Sequence, residues 1–440
     1  MEPKSLYQII NEDEFRDLAQ PPFFEFCKLF NKLNSKFASG KEVSKKFYSH
    51  LHYEIDSLES FLDDYGAREN KKWSFFSEYI ASIRNLSLAA FYVRHVLDRY
   101  PYYNLQENPE MDAAFKKNAD ETLSFLNSSI YNLFKETLAT GQENGLNACD
   151  ETDHPPEISE VLANRRLPRN ISEDEMKDES ERIIGLCEII QNASRMMVDS
   201  KIESTTEPEE LKIIVPGKLN EKKIREYLNL IHNVQSEYDT YVKNTKMEQD
   251  CEQLKYIRGY ISMPLHLLAA ALWLSHLYER HEDAIRPGEC KRKISMMADK
   301  NDLLDKIVNF AYFYALYFIQ RGSEISKDIL MQYLKTQKII LPIPQPLGFH
   351  ARPSTYLSLI SRQYDSDLFL IVDDEKFNAR SVMSMLQAGG IIADKGLQNV
   401  QFESDPRVLE DLKILAQNNY CEDKPIPQEL AYLRSQQNGS

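Results

Sequence analysis

Gly348-Phe349-His350-Ala351-Arg352-Pro353-Ser354 sets one histidine ahead of an apolar-periodic segment, with an arginine two places on. Before it, Lys338 to Pro344 reads as a short apolar strand and Gln345 to Phe349 as a loop carrying Pro346 and Gly348. After it, Arg352 to Gln363 has helical spacing. The run is strand, loop, histidine, helix. The first N–H groups of a helix have no partner within it, and the macrodipole turns its positive end toward them, so an anion is favoured there. Pro353 suits the first turn, where the N–H it lacks would be orphaned anyway. Arg352 adds a permanent charge and a planar fork of donors matched to phosphate oxygens. An imidazole titrating near pH ~6.5 is largely neutral at pH 7 and free to act as a nucleophile. His350 and Arg352 are therefore candidates to accept and hold a phosphoryl group. The plainer alternative for such a histidine is a helix cap.

From Lys338 to Cys421 the sequence resembles HPr, the small histidine-containing phosphocarrier of the bacterial phosphotransferase system. Two separated motifs carry the likeness. The first is the G-x-H-A-R-P run at Gly348 to Pro353; the resemblance makes His350 the phosphorylated residue and Arg352 the one that steadies the phosphate. The second is Asn378-Ala379-Arg380-Ser381-Val382-Met383-Ser384-Met385-Leu386-Gln387-Ala388-Gly389, similar to that family's N-A-K-S helix opening. There Ser381 matches a serine that a regulatory kinase modifies in some members. It is also well placed to cap a helix running to about Ala388 and ended by Gly389 and Gly390. Phe349, Val382, Met383 and Leu386 keep the apolar character of the surface on which HPr proteins dock partners. Two residues depart from the family pattern: Leu347, where a small polar residue is usual and where a leucine would dry the site, and Ser354 in place of an alanine.

The resembled fold is an open-faced βαββαβα sandwich, and the local patterns agree with it. Asp367 to Asp373 alternates, Glu375 to Asn378 is a short return, Asn399 to Glu403 alternates, and Pro406 to Gln417 has helical spacing. Pro342 and Pro344 cannot donate to a ladder, which predicts an edge position for the first strand.

The chain has 440 residues, a net charge of -15 and a pI near 5.2, without a block of Lys and Arg. Binding to nucleic acid or to an anionic membrane, which needs clustered cations, is not expected. Six scattered cysteines form no C-x-x-C pair, and Met1-Glu2-Pro3-Lys4 opens no apolar run, so a cytoplasmic protein with reduced thiols is expected. The apolar stretch Leu265 to Leu274 is short for a bilayer and is interrupted by His266; it reads as a buried helix.

Upstream of Lys338 almost every segment has helical period. The spans are Phe23–Phe37, Glu42–Asp64, Lys72–Tyr100 and Met111–Ala139, then Glu173–Lys201, Glu221–Lys243, Met247–His281 and Asp302–Gln320. A polar stretch from Gln142 to Pro156 separates the sets, and Ser172 with Glu175 reads as a capping box opening the second. Shifting the chain on itself by about 181 residues puts Tyr79 on Tyr260, Leu86 on Leu267, His95 on His276 and Gly141 on Gly322, the mark of a tandem repeat. His52 and His95 would lie roughly 16 Å apart on an antiparallel hairpin, too far to share an ion. They read as packing histidines, and Trp73 and Trp273 as core anchors.

The expected architecture is mostly α with a C-terminal α+β domain. Its parts are a helical bundle over 1–145, a linker and second bundle over 146–326, a connecting helix over 327–337, an HPr-like domain over 338–423 and a tail over 424–440. The sequence holds no P-loop, dinucleotide turn, Ser-His-Asp spacing or zinc signature, so a phosphoryl carrier is expected rather than an independent enzyme, with no cofactor and no metal. The leading expectation is a phosphotransferase-related carrier or regulator that accepts a phosphoryl group on His350 from an enzyme I-type donor and relays or reports it. Further partners would be a serine kinase acting on Ser381, a protein bound by the helical bundles, and a second copy of the chain. The rival is a scaffold whose HPr-like domain and bundles bind proteins without being phosphorylated.

Overall fold

The computed structural model describes residues 10–38, 42–103, 105, 107–148, 179–243, 245, 248, 250–282, 288–334, 336–364, 366–373 and 375–435. Two compact units divide the chain between Ile329 and Leu330. The Ser172–Glu175 capping box and Cys149 lie outside the described residues.

The first unit is helical. Its long elements are α1 (Glu12–Ala38), α2 (Lys45–Asp64), α3 (Ser74–Arg99), α4 (Pro109–Glu143) and α5 (Glu179–Val198). A short α6 (Pro208–Ile213) leads to α7 (Glu221–Glu237), α8 (Glu252–Glu282), α9 (Gly288–Met297), α10 (Lys300–Asp305) and α11 (Phe313–Tyr333). Caps explain several starts: Ser44 accepts from the N–H of Phe47, Asn108 from Met111 ahead of Pro109, and Asn220 from Lys223. α1 begins earlier than the sequence suggests and runs through Pro21 and Pro22. Its apolar face, with Phe15, Ala19, Phe23 and Phe26 buried, continues across them, and that burial outweighs the backbone bonds the prolines remove.

The expected division into a bundle ending at residue 145 and another filling 146–326 does not separate compact bodies. α3 is buried almost all round from Phe76 to Ala90, packing on α2 and α4 and also on α8. A helix apolar on every side needs neighbours on every side, and the second set supplies one of them. α8 is long and apolar enough to cross a bilayer, but 83% of its most apolar window is buried inside the unit, as expected of a core helix. Trp73 is fully enclosed against Phe15 and Phe76, whereas Trp273 is only half-buried, beside His276.

In the second unit four antiparallel strands, β1 (Gln337–Pro342), β2 (Phe369–Val372), β3 (Glu375–Asn378) and β4 (Asn399–Ser404), pair in the order β1-β4-β2-β3. With α12 (Ala351–Gln363), α13 (Val382–Asp394) and α14 (Pro406–Gln417) the order is βαββαβα, as expected. Register runs from Gln337 opposite Ser404 to Pro342 opposite Asn399, which makes β1 an edge and puts Pro342 at its end and Pro344 beyond it. Alternation sends Leu370, Val372, Val400 and Phe402 to the core, where Leu357, Ile360, Met385, Leu412 and Leu415 meet them.

Three boundaries differ from expectation. The connecting helix expected over 327–337 is the end of α11, and β1 has begun by Gln337. The supposed tail from 424 folds back: Leu430 and Leu433 are fully buried, and Tyr432 donates to Asp411 at 2.6 Å, before the short α15 (Tyr432–Ser435) ends. α13 does not stop at Gly389 and Gly390. It runs to Asp394, and Gly396 at φ +62 closes it, with Leu397 N–H bonded to Ile392 O and Gly396 N–H to Ala393 O.

Candidate functional site

The loop between β1 and α12 is held at several points. Gly348 takes φ +65, which a residue with a side chain rarely adopts, and its N–H donates to Pro344 O at 2.9 Å. Asn419 clamps the loop from the far side, accepting from Gln345 N–H at 2.9 Å and donating to Gln345 O at 2.8 Å. Phe349 plugs the core beneath, edge-on to Phe402 and Tyr420. Having fixed both neighbours, the chain delivers His350 as the N-cap of α12.

His350 Nδ1 accepts from the Arg352 N–H at 3.5 Å, at the long end for a hydrogen bond. Ser354 N–H bonds the His350 carbonyl, and Pro353 has no N–H to offer. The N–H of Ala351 makes no hydrogen bond among the described residues, which leaves one first-turn donor unpartnered next to the Arg352 N–H that meets Nδ1. On the other edge of the ring, Nε2 lies 2.9 Å from a carboxylate oxygen of Glu422, though out of line for a hydrogen bond. In the neutral ring, a lone pair on Nδ1 implies the proton on Nε2, next to that carboxylate. Arg352 reaches toward the same residue, donating through Nη1 to the Glu422 carbonyl at 3.3 Å.

Glu422 is the site residue that sequence reasoning missed. It is mostly buried, and Asn419, Tyr420 and Cys421 before it all have positive φ, of 49°, 51° and 58°. Three consecutive left-handed residues with side chains are costly, and they persist because tertiary contacts fix them. Tyr420 Oη donates to Pro342 O at 2.8 Å, its ring packs on Phe349, and Asn419 is locked to Gln345. Nothing in the local sequence announces such a turn. Cys421 is buried, and burial pushes its thiol up from the ordinary value, so it is a poor nucleophile.

Ser381 is exposed and caps α13, its hydroxyl accepting from Ser384 N–H at 3.3 Å. Ser381→Ala should lower the stability of the C-terminal unit by about 1 kcal/mol, while Ser381→Asp keeps most of it; urea titration followed by amide exchange in α13 checks this. Of the four expected docking residues, Met383 is 69% exposed, Leu386 37% and Val382 partly buried, but Phe349 is only 3% exposed and belongs to the core. A residue plugged between Phe402 and Tyr420 cannot dock a partner. Leu347 is 72% exposed and so lies open to water rather than covering the histidine.

In the helical unit, His95 pairs with His266 across α3 and α8, ring centroids 4.2 Å apart, and not with His276, its counterpart in the repeat register. Lys45 Nζ lies 3.1 Å from His95 Nδ1. His276 Nδ1 instead lies 2.8 Å from Glu221.

No curated protein and no solved structure matches the chain. Residues 338–393, which run from β1 through the histidine loop and α12 to α13, match the family model described as the PTS HPr component phosphorylation site, and it is to HPr that the C-terminal unit is similar.

Proposed function

We propose that the C-terminal unit is a phosphoryl carrier of the phosphotransferase type, with His350 as acceptor and Arg352, Ala351 N–H and Glu422 as its supports. The observation that carries this reading is the seat of the imidazole: Nδ1 at the mouth of α12 and Nε2 beside a buried carboxylate. The Nδ1 lone pair attacks the phosphorus of a donor phosphohistidine, and a new N–P bond forms as the donor's N–P bond breaks. The proton stays on Nε2, where Glu422 offsets the positive charge the ring acquires. The incoming oxygens meet the helix N-terminus and the guanidinium, whose present acceptor is only a carbonyl.

The donor is an enzyme I-type protein of the phosphotransferase system, and the setting is cytoplasmic. The helical unit reads or relays the phosphorylation state. Ser381 acts as an off-switch: phosphate there adds about two negative charges beside Met383 and Leu386, where partners dock. Incubation of the full chain with phosphoenolpyruvate and purified bacterial enzyme I should give an acid-labile label, absent in His350→Ala and slowed roughly tenfold in Glu422→Gln. A label that survives in His350→Ala removes the site. A non-phosphorylated adaptor is the second reading, favoured by the exposure of Met383; in that case Met383→Asp abolishes partner binding and His350→Ala does not.

A further inference from the structure

Within the helical unit, α2, α3 and α8 enclose a cavity of about 230 Å³ whose lining is predominantly charged and polar. At about 30 Å³ per water this is room for seven or eight waters, a small metabolite rather than a drug-sized one. Two of its arginines share four acids: Arg84 also meets Asp56 at 3.4 Å, and Arg68 lies 3.9 Å from the buried Glu78. Glu59 takes both Arg84, Nε to carboxylate at 3.0 Å, and Arg68 at 3.3 Å, and Arg68 also reaches Asp63 at 3.2 Å. Arg280, from α8, lines the same cavity and makes no ion pair or hydrogen bond among the described residues.

The hydrogen bonding is incomplete on both sides, and Arg68 Nε and Arg84 Nε are buried donors without an acceptor. Asn85 is 2% exposed, and its side-chain oxygen has no donor. One carboxylate oxygen of the buried Glu59 also lacks a donor, because Arg84 Nε is near it but out of line. Burial pushes the Glu59 carboxyl up, against the pull of Arg84 and Arg68. Buried polar atoms left unmade are costly, so each marks a place for a ligand atom or a water. The cavity thus offers, among the described residues, one guanidinium without an ion pair for an anion, and two buried oxygens without a donor for an ammonium.

We propose that this cavity binds a small zwitterion of the α-amino-acid type, its carboxylate on Arg280 and its ammonium toward Glu59 and Asn85. An ammonium group supplies three donors and a positive charge next to a carboxylate, which a hydroxy acid or a sugar phosphate does not. The site is independent of His350, so its test stands apart from the carrier reading.

Both tryptophans, Trp73 and Trp273, lie in this unit and report its unfolding. The full chain is titrated with glycine, alanine, serine, aspartate and glutamine, and separately with inorganic phosphate, lactate and glucose 6-phosphate. At least one amino acid should raise the tryptophan-monitored unfolding midpoint and give a measurable Kd by calorimetry. Arg280→Ala and Asn85→Ala should each weaken that Kd about tenfold or more, with Arg280→Lys retaining part of it. Because Arg280 is exposed, its alanine variant keeps the fold. The proposal fails if no amino acid binds, if lactate or the phosphates bind as tightly, or if neither Arg280→Ala nor Asn85→Ala changes the affinity.

Discussion

Alanine at Gly389 is expected to lower the stability of the C-terminal unit by about 2 kcal/mol, whereas alanine at the adjacent Gly390 should raise it by up to about 1 kcal/mol. Both glycines are inside α13, and in a helix interior Ala is favoured over Gly by about 1 kcal/mol. At Gly390 that preference acts alone, since a methyl group there meets nothing within 4 Å. At Gly389 the same methyl would sit 2.6 Å from the Phe349 carbonyl oxygen, a backbone atom that no rotamer change can move aside. Overpacking costs about 1–3 kcal/mol, and a clash with rigid backbone belongs at the upper end, so it overcomes the propensity gain. The displaced residue is the one before His350. Gly389→Ala should therefore also slow phosphoryl acceptance, because a misplacement near 1 Å costs up to about a hundredfold in rate. Amide exchange in the C-terminal unit compares the two variants; equal effects would mean that α13 and the histidine loop are not in contact.

Acidification should weaken the helical unit through His95 and His266. Burial is the main cause that lowers their pKa values, His95 to about 4 and His266 to about 3, with the charges of Lys45 and Arg99 adding to it and His95 acting on His266 as well. In the unfolded chain both titrate near ~6.5. Between pH 6.5 and 4 the unfolded state takes up protons that the folded state refuses, so stability falls as pH falls through that window. One such histidine costs about 2 kcal/mol between pH 7 and 5, and the pair about 4 kcal/mol, since in the folded state neither takes up a proton in that range. Tryptophan fluorescence in urea at the two pH values measures the loss in this unit alone. His266→Leu removes one of the proton sites and should reduce the pH-dependent loss by about 2 kcal/mol; an unchanged slope in that variant would rule out the histidine pair as its source.

How much of this was legible in the sequence depended on how local each feature is. His350, Arg352 and Pro353 could be placed because a helix start is written in neighbouring residues, and Ser381 likewise as a cap. Strand order in the C-terminal unit followed from alternation, and the edge position of β1 from its prolines. What failed was long-range. Glu422 reaches His350 only because a left-handed turn is pinned by Pro342, Gln345 and Phe349, contacts that span more than seventy residues. Gly389 and Gly390 read as a helix stop, but the first is glycine to admit Phe349 and α13 continues past both. The resemblance counted Phe349 among the docking residues, yet it is buried against Phe402 and Tyr420. The mutual burial of α3 and α8, which merges two expected bundles into one unit, leaves in the sequence only helices that are apolar all round.

Phosphorus NMR of the full chain after incubation with phosphoenolpyruvate and enzyme I tests the carrier reading most directly. One phosphoramidate resonance is predicted, coupled to Nδ1 of a single imidazole and absent from His350→Ala. No resonance in the unaltered chain despite active enzyme I, or the same resonance in His350→Ala, would contradict it.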